Sequence, residues 1–158
     1  MHMASLCKNG ILRSGRAGFT FIEVILSIGV IGVLAAIAVP LFQSFQTKND
    51  ADVAVMELVQ TLRRAQILSK ASDGDSMWGV RASSTAITLF KGSSFALRDP
   101  NFDEAFDVPS PLVFSGLAEA VFNKVSGFPQ ATGTVILSIP TLSESRTVTI
   151  NAKGSVSF

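Results

Sequence analysis

The chain has no tyrosine, one tryptophan, one histidine and one cysteine among its 158 residues, and each scarcity removes a class of chemistry. Cys7 alone can form no internal disulfide. His2 and Cys7 are the whole supply of imidazole and thiol and both precede residue 18, so a product lacking residues 1–18 would have neither a histidine-based triad nor a Cys/His metal centre. The serines, carboxylates and lysines that remain show no nucleophile elbow, phosphate loop or metal-ligand spacing, so neither enzymatic activity nor a cofactor is expected. Charge is scarce too: 16% of residues are charged against 47% hydrophobic, more apolar than an ordinary soluble domain. The length allows one domain of ordinary size.

What is present is concentrated near the N-terminus. Residues 24–47 carry no charge, and the run VILSIGVIGVLAAIAVPLF is long enough to cross a hydrocarbon core of about 30 Å as a helix. Lys8, Arg13 and Arg16 precede it and Lys48, Asp50, Asp52 and Glu57 follow it, so the basic flank is expected in the cytoplasm and the remainder outside. An ordinary secretory signal peptide would end its apolar stretch sooner, at small residues, whereas this run continues through Pro40, Leu41 and Phe42 into a helical pattern. Glu23 sits just inside the apolar run, where a carboxylate costs about 2.5 to 3.5 kcal/mol at a helix centre and less near its end. A charge kept there needs a partner.

The string Gly18-Phe19-Thr20-Phe21-Ile22-Glu23, behind a short basic leader, resembles the processing site of type IV prepilins and type II secretion pseudopilins. The resemblance implies cleavage behind Gly18 by a membrane-embedded prepilin peptidase, N-methylation of the new terminus Phe19, and subunit assembly through Glu23 and Phe19. It also implies helix loosening at Pro40, which lacks an N–H and is expected to kink the helix. A neighbouring subunit's Glu23 would neutralise the Phe19 ammonium inside an apolar filament core, where an ion pair is tolerable only when both partners are present. Gly32 and Ala36 add a small-xxx-small spacing that lets helices approach. Removal of residues 1–18 would leave ten basic against twelve acidic side chains, with no broad footprint for nucleic acid.

Beyond the span, Val55, Leu58, Val59, Leu62, Ala65 and Leu68 recur at helical spacing with polar residues between them, and Ser72-Asp73-Gly74-Asp75 reads as the stop. The period then becomes two. Strands are predicted over 78–82, 86–90, 95–98, 112–114, 120–125, 134–139, 146–151 and 155–158, with a hairpin at Asn151-Ala152-Lys153-Gly154. The expected fold is therefore α+β: a leader over 1–18, a transmembrane and assembly helix over 19–42, its amphipathic continuation over 43–73, and a β-rich antiparallel domain over 74–158. Residues 57–66, the string MWGVRASSTAITLFKG and the closing strands resemble the GspH/FimT branch of minor pseudopilins and minor pilins. That resemblance implies other pilin subunits, the inner-membrane assembly platform and lipid as partners, in a pilus or pseudopilus at the inner membrane.

Three further segments carry candidate features. Asp99, Asn101, Asp103 and Asp107 alternate as in a calcium loop, but Glu104 replaces its glycine and Ser110 its closing glutamate, so a solvated acidic loop is expected. Some FimT-like minor pilins bind DNA through a C-terminal basic patch, yet Arg146 and Lys153 are two separated charges, which argues against DNA here. Trp78 and the twelve phenylalanines read as core and filament-contact hydrophobes.

Overall fold

The computed structural model describes residues 18–158, so the expectations for Lys8, Arg13, Arg16, Cys7, His2 and the leader before Gly18 lie outside the described residues. The chain divides into two compact units, Met1–Val39 and Pro40–Phe158. Helix α1, Phe21–Ala71, contains Pro40 without a lapse in helical assignment. In the first unit it has no buried side chain, and the helix is long and apolar enough to cross a membrane.

In the second unit α1 is amphipathic in the way its spacing predicts. Val55, Leu58, Val59, Leu62 and Ala65 are buried, and Leu68 packs partly buried against the same core. The helix stops at Ala71 because Ser72 turns left-handed (φ 54°), followed by a 3₁₀ turn, Asp73–Asp75, in which Gly74 is also left-handed (φ 60°). The stop falls where glycine was expected to supply it, but Ser72 makes the first reversal. Its neighbour Ser69 is fully buried, and its Oγ accepts from the Trp78 N–H at 2.9 Å, tying the helix end to the first strand.

Eight strands among the described residues form two antiparallel sheets. One has the order β3-β2-β1-β5, built from β1 (Trp78–Ala82), β2 (Ala86–Lys91), β3 (Asp99–Asp107) and β5 (Glu119–Phe122). The other, β4-β6-β7-β8, comprises β4 (Val113–Gly116), β6 (Gly133–Ile139), β7 (Glu144–Ile150) and β8 (Val156–Ser157). Inward residues at period two, among them Leu89, Phe122, Leu137 and Val148, join the α1 stripe in one apolar cluster.

Three segments differ from expectation. Residues 95–98 are not a strand: Phe95–Leu97 is a 3₁₀ turn capped by Ser94, whose Oγ accepts from Leu97 N at 3.3 Å. Phe95 lies edge-on to Phe90 at 5.6 Å, with Arg98 and Arg81 over its ring at 3.7 and 4.5 Å. Residues 99–107 are not a loop but the nine-residue edge strand β3. Its pleat sends Asp103 and Glu104 to opposite faces, where each meets its own arginine, Arg98 at 2.7 Å and Arg64 at 2.6 Å. That geometry cannot wrap a cation. The strand predicted over 120–125 ends at Phe122, and 123–128 is a tight loop in which Val125 is left-handed (φ 69°) and its N–H donates to Ser69 O.

Candidate functional site

At the start of α1 the backbone N–H groups of the first turn lack helical partners. Thr20 and Glu23 supply them reciprocally: the Glu23 N–H donates to Thr20 Oγ1 at 3.3 Å, and the Thr20 N–H donates to Glu23 Oε2 at 3.4 Å. This is a capping box, Thr-x-x-Glu, and it places the carboxylate at the positive end of the helix dipole. Thr20 is not among the residues expected at the site, although the spacing Thr20-Phe21-Ile22-Glu23 carries the signal.

Phe19, 83% exposed, lies next to this cap. Gly18, Gly29 and Gly32 all have open space where a β-carbon would stand, so the fold of the described chain demands none of them. Pro40 has no N–H to donate to Ala36 O, and Ser44 Oγ donates to Pro40 O at 3.1 Å. Thus Gly18, Phe19 and Glu23 stand together at one exposed helix start, and Pro40 lies well along the same helix, outside that group.

In the second unit a line of four charges ties α1 to β7. Lys48 Nζ meets Glu144 Oε1 at 2.6 Å, Arg146 reaches Glu144 Oε2 at 3.5 Å, and Arg146 Nε donates to Asp52 Oδ1 at 2.9 Å. The hydrogen bond from Lys48, with attraction from Lys48 and Arg146, holds the Glu144 carboxyl below its ordinary range. Asp52 raises the Arg146 guanidinium in the same way. Arg146 is thereby committed to carboxylates of its own fold. Lys153 stands elsewhere, in the β7–β8 turn, where Asn151 Oδ1 accepts from the Lys153 and Ser155 N–H groups and Gly154 supplies φ +76°. Gln66 Nε2 reaches from α1 to donate to Lys153 O at 3.1 Å and Gly127 O at 2.9 Å. Nothing in the sequence brought Gln66 forward, because its partners are backbone carbonyls.

Comparison with known proteins bears on the first site directly. The family described as "Prokaryotic N-terminal methylation motif" matches residues 13–39, a stretch that contains Gly18, Phe19 and Glu23. The fold is shared with the minor pseudopilin EpsH from the type 2 secretion system of Vibrio cholerae, at TM-score 0.53 and 15% identity, over 68% of this chain and 94% of that one. The chain is thus similar to type IV pilins and pseudopilins in its N-terminal motif and in its fold. Two Pseudomonas aeruginosa relatives, each described as "Fimbrial protein", are 34% identical over 85 residues, 48% of this chain. The chain spans about half the length of these curated relatives, 53%. The EpsH likeness, at its low identity, speaks for the fold alone. The apolar N-terminal helix among the described residues and the motif fit membrane anchoring.

Proposed function

We propose that this pilin-type chain is a structural subunit, a minor pilin or pseudopilin, of a type IV pilus or a type II secretion pseudopilus. It is not an enzyme. Prepilin peptidase removes the leader over 1–18 behind Gly18, and Phe19 becomes the methylated terminus. The helix over 19–42 holds the subunit in the inner membrane and later enters the filament. Its continuation over 43–73 carries the β-rich domain over 74–158 on the periplasmic or extracellular side. Other pilin-type subunits and the inner-membrane assembly platform are the partners.

The observation that carries this reading is the methylation motif lying on an apolar helix with no buried side chain in its first unit, with Glu23 exposed at the start. Glycine at 18, where no neighbouring atom of the described residues requires it, supports recognition by the peptidase. Pro40, by removing one helical hydrogen bond, supports local loosening of α1 as the subunit leaves the bilayer. The test is paired substitution. Gly18→Leu should leave a full-length precursor on a gel, and Glu23→Ala should insert and be cleaved normally yet fail to enter sheared filaments. Normal cleavage of the first or normal incorporation of the second removes the corresponding role. Capture of DNA by the outer domain, the competing reading, loses Arg146 to Asp52 and Glu144.

A further inference from the structure

Every lysine and arginine among the described residues pairs with a carboxylate or lies over a phenyl ring, except three: Arg63, Lys70 and Lys153. Those three line one shallow cavity of about 430 Å³, with exposed Ile67 between the two helix cations and no carboxylate in its wall. A second cavity, about 420 Å³, is lined by Asp50, Glu57 and Asp107 around exposed Val53, with no cation in its wall. Among the described residues none of these carboxylates belongs to an ion pair.

The two sites are built alike with opposite sign. Each takes two α1 residues seven apart, which share a helix face, and a third residue from a sheet or its turn. Their centres are thirteen residues apart on α1, about 20 Å of rise and about 140° around the axis. Within one molecule they face apart and lie beyond a Debye length of about 8 Å, so they gain nothing from each other. Between molecules they match. The surfaces differ, so the contact is heterologous and does not close as a two-fold dimer; with an axial offset between copies it propagates as an open array. A nucleic-acid strand fits less well. The unit bearing the cavity has ten basic against eleven acidic side chains, a net charge of −1, and three cations make a small phosphate footprint.

We propose that the Arg63–Lys70–Lys153 cavity of one copy receives the Asp50–Glu57–Asp107 face of a second copy, setting Ile67 against Val53. With their α1 helices parallel, the copies are offset by about 20 Å along the helix axis. The parallel arrangement rests on the filament-subunit reading; the charge match does not.

Because the described residues contain no cysteine, a Cys7→Ser background permits a clean cross-linking test in the full chain within its membrane. Two differently tagged copies, one Val53→Cys and one Ile67→Cys, should form a disulfide-linked heterodimer on mild oxidation, and either variant alone should not. Adding Arg63→Glu and Lys70→Glu to the second copy should lower the yield at least tenfold, and adding Asp50→Lys and Glu57→Lys to the first should restore it. No mixed dimer, equal dimer from either variant alone, indifference to charge reversal, or abolition by added duplex DNA would each overturn the contact. A chain that enters filaments without this cross-link sinks the contact and leaves the assembly role standing. Cross-linking in a chain that never enters filaments does the reverse.

Discussion

Thr20 and Glu23 cap each other's backbone at the start of α1, so the carboxylate expected to meet a neighbouring subunit is already in use within its own helix. Transfer of Glu23 to a partner ammonium therefore exchanges one charge-assisted contact for a stronger one, and Thr20 sets the starting position of the carboxylate. Thr20→Val should destabilise the helix start by about 1 kcal/mol, while Thr20→Ser should stay near the parent. Amide hydrogen exchange over residues 20–24 in detergent micelles reads this, and equal protection in all three proteins would mean the cap contributes nothing.

The α1 stripe makes a sharper stability prediction. Leu62 is 1% exposed and Ile67, five residues later, is 64% exposed. Leu62→Ala should cost about 2 to 5 kcal/mol through lost burial and the remaining cavity. Ile67→Ala should stay within about 0.5 kcal/mol. Denaturant midpoints of the detergent-solubilised chain separate the two.

Two glycines with positive φ should differ in their tolerance of a β-carbon. At Gly116 (φ +85°) the new atom would strike the backbone carbonyl of Thr134 across the β4–β6 pair, which cannot move without breaking the ladder. At Gly127 (φ +64°) it would meet the flexible side chain of Lys70, which can swing away. Gly116→Ala should therefore lower the melting temperature clearly more than Gly127→Ala, and equal losses would show that backbone strain alone decides both.

The charge line on β7 gives a pH dependence. The Glu144 carboxyl is held lower in the folded chain than when unfolded, so its contribution is present above the unfolded value of about 4.3 and is lost as pH falls through the folded one. Wild type should exceed Glu144→Gln in stability near neutral pH at low salt. The difference should vanish at strongly acidic pH and shrink when salt is raised, because the groups are exposed. Thermal melts across pH at two ionic strengths check it, and a gap that persists in acid would assign the effect to packing.

Much of this was legible in the chain. Helix periodicity predicted the buried stripe and the stop near Ser72, because both depend on local spacing. β1 was predicted to its bounds, since a Val/Trp-rich run between turn residues leaves little choice. β3 was missed because Asp99, Pro100, Asn101 and Asp103 carry loop composition. As a sheet edge, β3 tolerates Pro100, and its acidic side chains find arginines that no local pattern reveals. At the helix start Glu23 stands out by its cost in an apolar run, while Thr20, its capping partner, carries no charge to mark it. The pairing of Arg146 with Asp52 joins residues 94 positions apart, and only the fold brings them together.

The β7–β8 turn is fastened to α1 by Gln66 and closed by Asn151, hydrogen bonds alone. Its closure consequently requires no electron acceptor: the same turn should form in a reducing compartment as in an oxidising one, and the domain's maturation is uncoupled from the redox state of the cell that makes it.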